Sequence, residues 1–122
     1  MALIQPDLIH EFFHGSVQGR VVHWDKIAVG DTCAPYECIG FTDKDIDING
    51  TPNGGTIAIH GANHSTVPVY SVLKDNADNG ITAIGADGHF TVVNHVYWAK
   101  PILTGGGGST DFDVTMILYT AV

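Results

Sequence analysis

Asp111-Phe112-Asp113-Val114-Thr115-Met116-Ile117-Leu118-Tyr119 decides the fold class. Phe112, Val114, Met116 and Leu118 fall on one side of an extended chain, and Asp113, Thr115, Ile117 and Tyr119 on the other. A period of two residues is that of a β-strand. Its second side is partly apolar, so a neighbour is expected to cover it. Working outward, residues 44–50 repeat the pattern, with Ile46 and Ile48 opposed to Asp45, Asp47 and Asn49. Residues 56–60 do so again, with Ile57 and Ile59 inward. Thr51-Pro52-Asn53-Gly54-Gly55 between them reads as a turn, so 44–60 is expected to form a hairpin. Further strands are expected over 20–29, 69–73, 88–93 and 96–103. Pro101 would place the last at an edge or a bulge. Gly105 to Gly108 make a glycine-rich loop before the final strand. Short apolar runs separated by Gly, Asn, Asp and Pro predict an all-β sandwich or barrel of antiparallel strands.

That domain is expected over 19–122. Residues 1–18 do not alternate and are read as a non-regular N-terminal arm. Leu8, Ile9, Phe12 and Phe13 could make one amphipathic turn after Pro6, or the arm could dock on another subunit. Leu3, Ile4, Leu8, Ile9, Phe12 and Phe13 together are too much apolar surface to leave in water. They are the expected partner interface.

The composition narrows the function. A length of 122 residues suits one domain with a real core. The formal net charge of −8, with 5 Lys plus Arg, offers no basic stripe. Nucleic acid and anionic membrane are therefore not expected partners. Only 15% of residues are charged, a low share for a free surface. A homo-oligomer is expected, a homodimer or a homotrimer. No apolar run reaches the length of a membrane-spanning helix. No Lys or Arg precedes the apolar residues of 1–18, which also hold Asp7 and Glu11, so no signal peptide is expected. Cys33 and Cys38 lack the companions or the spacing of a zinc or redox site, and are read as reduced, small hydrophobic residues.

His10-Glu11-Phe12-Phe13-His14 matches the zinc-peptidase pattern H-E-x-x-H, which works only on a helix. The extended motif fails, because Val17 and Arg20 stand where Gly and His are needed. Asp45-Ile46-Asp47-Ile48-Asn49-Gly50 begins like a calcium loop, but Thr56 replaces the closing Glu. An acidic row on a strand is the favoured reading, with Asp43, Asp45 and Asp47 offering at most a weak cation site. His60 and His64 flank loop-forming residues and are read as surface or packing groups. No nucleophile elbow and no phosphate-binding glycine loop is present. No catalytic residue, resident metal or cofactor is expected. Trp24, Tyr97 and Trp98 are aromatics that could stack on sugars if exposed, although packing in the core or at an interface is the favoured reading. That would suit a tail- or fibre-associated module binding host glycan.

From Gly30 to Leu118 the chain resembles small capsid decoration (cement) proteins of tailed bacteriophages. The likeness lies in Gly30-Asp31-Thr32, Ile46 to Thr51, Thr56 to Asn63, Tyr70 to Leu73, Phe90-Thr91, Trp98 to Pro101, Gly105 to Gly108, and Thr110 to Leu118. Tyr70 stands where a Trp is typical, and residues 1–29 lie outside the match. The resemblance implies an antiparallel β-sandwich, jelly-roll-like, that associates with itself. It also implies binding to the major capsid protein on the outer surface of the virion shell.

Overall fold

The computed structural model describes residues 2–64 and 66–121. Among them run β1 (Leu3–Ile4), β2 (Asp7–His14), β3 (Val17–Ile27), β4 (Thr32–Cys33), β5 (Tyr36–Glu37) and β6 (Asp43–Thr51). β7 (Gly55–Ala62), β8 (Ser71–Val72), β9 (Gly88–Val92), β10 (Trp98–Gly105) and β11 (Asp111–Ala121) follow. A 5-stranded sheet has the order β2-β3-β11-β6-β9, and a 4-stranded sheet the order β5-β10-β7-β8. Every pairing within these two sheets is antiparallel. β1 and β4 form a small parallel pair outside them. The described residues hold no helix. The chain is an antiparallel β-sandwich.

β11 lies at the centre of its sheet, between β3 and β6. Its inward side chains Phe112, Val114, Met116 and Leu118 are buried. Val22 and Trp24 of β3 and Ile46 and Ile48 of β6 continue that inner face, as the register requires. Ile57, Ile59 and Ala99 face them from the second sheet, joined by Leu73 and Ile81. Burial of each large side chain contributes roughly 1.5–3 kcal/mol, which makes this inter-sheet layer the main source of stability.

The expected hairpin over 44–60 is not one. β6 and β7 are consecutive in sequence but belong to different sheets, pairing with β11 and β9 and with β10 and β8 respectively. Their turn at Pro52, closed by the Gly55 amide donating to the Pro52 carbonyl at 2.7 Å, carries the chain across the core. Ile46 and Ile48 thus meet Ile57 and Ile59 face to face rather than side by side. Alternation places apolar residues inward in either arrangement, so it cannot tell a hairpin from an arch. The glycine-rich loop likewise links β10 to β11 across the two sheets. It is tightly folded: the Thr110 hydroxyl donates to the Pro52 carbonyl and accepts from the Gly107 amide, both at 2.9 Å. Pro101 is tolerated because β5 reaches only Trp98 and Ala99, so no ladder stands opposite it on that side.

The N-terminal segment departs from the expected non-regular arm. Residues 7–14 form β2, which pairs antiparallel with β3 as the edge of the larger sheet. Gly15, with φ of +62°, makes the tight turn between them. Alternation missed β2 because it carries an extra residue. Leu8 stands opposite Val22 and His10 opposite Val21, which leaves Ile9 in a bulge. The bulge shifts the face on which every later side chain falls.

Candidate interaction surface

Strand pairing organises the residues of 1–14 into two faces. Opposite the inward positions Val22, Arg20 and Gln18 stand Leu8, Glu11 and Phe13. Opposite the outward positions His23, Val21, Gly19 and Val17 stand Asp7, His10, Phe12 and His14. The inward side of β2 is only sparsely covered by the rest of the chain. Leu8 is 50%, Ile9 58% and Phe13 77% exposed. Leu3, on β1, is exposed as well. Ile4 instead packs partly against the core. Phe12 lies over Gly19, where an added Cβ would collide with its ring. Of the six apolar residues, four are thus solvent-facing, and two serve the chain's own packing.

Beneath β2 and β3 runs a crevice toward the edge strand β5. Glu11, Phe13, Gln18, Arg20 and Phe41 line one part, and Tyr36, Glu37 and Ile39 the next. Arg20 is its organising residue. It pairs with Glu11 at 3.1 Å, donates from Nη1 to the Tyr36 hydroxyl at 3.0 Å, and lies 5.5 Å from the Phe41 ring centroid. The hydrogen bond to Tyr36, followed by the pairing with Glu11, holds its pKa above the ordinary value. These contacts pin the β2–β3 hairpin to the other sheet. Arg20 and Phe41 lay outside every motif; the parity of Arg20 with Val22 and Trp24 could have marked it, whereas Phe41 precedes β6 and carried no such signal.

The H-E-x-x-H pattern lies on a strand. His10 and His14 are about 13 Å apart along it at the usual rise, and Glu11 faces the other way, bound to Arg20. They do not converge on one ion. Asp43, Asp45 and Asp47 form the expected outward acidic row on β6, across from β9. Asp47 contacts the His89 ring, and this hydrogen bond raises the His89 pKa. A group that sequence reading did not find is His23, Asp25 and Asp113, whose ligand atoms lie within 4.8 Å of one another. A hydrogen bond with Asp113 raises the Asp25 pKa. Partial burial works to raise that of Asp113, but the Lys26 amide donating to it and Asp25 together bring it below its usual value. The group was missed because a bulge between Phe112 and Val114 sets the register there.

The aromatics separate. Trp24 is buried, its Nε1 donating to the Ala34 carbonyl at 2.8 Å, so it is a core residue and not a sugar platform. Trp98 is half-buried and lies at 53° to Tyr97 with centroids 5.0 Å apart. Tyr97 lines a cavity of about 400 Å³ with Phe41, Thr42, Asn63 and His95. Cys33 and Cys38 are buried and unbonded, and burial pushes both thiols up to about 12.

Lys44 is the least expected of the inward residues. It shares the parity of Ile46 and Ile48, stands opposite Leu118 and Val92, and is 1% exposed. Its Nζ has no hydrogen-bond partner among the described residues. Burial lowers its pKa, against the smaller opposing pull of Cys38 and Asp43.

No protein-family model matches the chain, and no curated protein matches it in sequence. Among solved structures it is similar to the SPBc2 prophage-derived protein YomS, with a TM-score of 0.64 at 10% sequence identity. The match covers 84% of this chain and 95% of that one. At that identity the likeness is one of fold: the two chains share the architecture of the sandwich over nearly the whole of the smaller match partner.

Proposed function

We propose that the chain is a structural protein of a tailed-phage virion. In this reading it is a decoration protein that binds the major capsid protein on the outer face of the shell and stabilises it, with no catalytic step. The observation that carries the reading is the exposed edge strand β2. β2, paired along its length with β3, holds Leu8, Ile9 and Phe13 in solvent, in a chain with few charged residues. The fold likeness to a prophage-derived protein supports a phage setting. The mechanism is mechanical: modest interfaces repeated over a symmetric shell sum to a large stabilisation. A net charge of −8 supports a protein partner over nucleic acid or membrane.

The test is co-sedimentation with undecorated shells. The full chain is expected to pellet with them, and a chain lacking residues 1–14 is expected to stay in solution. The truncation should keep its β-sheet circular dichroism, because among the large apolar residues of 2–14 only Ile4 and Phe12 pack against the rest of the chain, and neither is among the fully buried core residues. Full-strength binding by the folded truncation would refute the role of β2. No binding by the full chain to any shell would refute the decoration reading. The second reading is a glycan-binding module, favoured by the Tyr97 cavity with its Asn63 and His95. Glycan binding that is lost in Tyr97→Ala, with no shell binding, would establish it instead.

A further inference from the structure

The edge of β2 is chemically self-complementary, and the bulge at Ile9 is what makes it so. A second chain can extend the larger sheet there by lying antiparallel to β2, since an open edge offers unpaired amides and carbonyls. If that chain is another copy, the two are related by a two-fold axis perpendicular to the sheet. Such an axis preserves faces, so each residue must meet one from the same side.

With the axis at Glu11, His10 falls opposite the partner's Phe12 on the outer face. Ile9 is skipped as the inserted residue. Leu8 then falls opposite the partner's Phe13 on the inner face, and Asp7 opposite the partner's His14 on the outer face. Apolar meets apolar, and acid meets imidazole. At the centre the two Glu11 carboxylates approach, each already paired with its own Arg20 at 3.1 Å, so the centre is neutral. Shifting the axis to His10 sets Leu8 against Glu11 and Asp7 against Phe12. Shifting it to Phe12 sets Glu11 against Phe13 and His10 against His14. Without the inserted residue, the Glu11-centred register would set Leu8 against His14.

We propose that the protein is a homodimer in which two β2 strands pair antiparallel about Glu11 and join the two larger sheets into one. The dimer forms without any shell. Pairing uses the backbone edge of β2 and leaves the face that carries Leu8 and Phe13 open to the shell, so dimerisation and shell binding are separate measurements that can fail independently.

The test uses the full chain with Asp7→Cys or His14→Cys, both on the exposed strand. Sedimentation of the unmodified protein is expected to give twice the 13.0 kDa chain mass at micromolar concentration. Under mild oxidation, a mixture of D7C and H14C chains is expected to yield a disulfide-linked dimer. Neither variant alone should do so, because residues 7 and 14 face each other and not themselves. Cys33 and Cys38 are buried and do not compete. A monomer at concentrations on the order of 100 μM would overturn the proposal. A dimer whose mixed chains cross-link no better than either variant alone would also overturn it. Such a dimer would use another surface, and β2 would be left to a different partner.

Discussion

Lys44→Met is expected to stabilise the protein. Lys44 is 1% exposed, sits between Leu118 and Val92 on the inner face, and leaves Nζ without a partner among the described residues. A buried polar group without a hydrogen bond costs about 1–3 kcal/mol. Met keeps an unbranched stem of similar length and fills the same space without that cost. For a domain of this size, a gain of about 1–3 kcal/mol corresponds to roughly 4–12 °C in Tm. The pH dependence follows from burial lowering the Lys44 pKa below 10.5 in the folded state. The unfolded chain takes up a proton as pH falls below 10.5, and the folded chain does so only at lower pH. Stability of the unmodified protein is therefore lost as pH falls through that window, and is constant below the folded pKa. The advantage of Met should grow across the same window. Urea unfolding at a series of pH values, followed by circular dichroism, measures both effects. A Met variant less stable than the parent at pH 7, or an advantage that does not change with pH, would refute the reasoning.

Gly19→Ala should lower the urea midpoint by the equivalent of about 1–3 kcal/mol, as overpacking does, because its Cβ would collide with the Leu118 carbonyl and the Phe12 ring. In the same series, Phe12→Ala should partly relieve the clash. The imidazole of His89 should titrate above 6.5 by NMR, because of its hydrogen bond to Asp47. Its small contribution to stability is present below 6.5 and lost as pH rises through the folded pKa, and Asp47→Asn should return the midpoint toward 6.5. Both cysteines should resist thiol reagents at pH 8 in the folded protein and react fully in denaturant, since burial holds the thiols near about 12. Rapid native labelling would show that one of them is open to solvent.

The inner layer of the sandwich was legible in the sequence. Phe112, Val114, Met116 and Leu118, with Ile46, Ile48, Ile57 and Ile59, lie inward as their alternation demands. Pairing was not legible, because parity fixes the face of a residue and not its neighbour strand. Hence β6 and β7 read as a hairpin although they bridge two sheets. The apolar residues of 7–14 were recognised as surplus to the core, but their strand was hidden by one inserted residue at Ile9. The same limitation concealed His23, Asp25 and Asp113, which an extra residue on β3, between Trp24 and Ile27, brings together. Lys44 carried a readable signal, its parity with Ile46, that its charge argued against.

The strand order also dictates how the molecule bears load. Asp7 stands beside His23 at one end of the larger sheet, whereas Ala121 stands beside Val17 at the other. Tension between the chain ends therefore runs along the strands. After the short β1–β4 pair gives way, the β2–β3 and β3–β11 ladders are strained in shear, with many hydrogen bonds resisting at once instead of unzipping singly. A single-molecule pulling experiment through the two termini should meet a high rupture force. Pulling through Gly15 and Ala121, which sit at the same end of the sheet, should peel the strands apart at a much lower one.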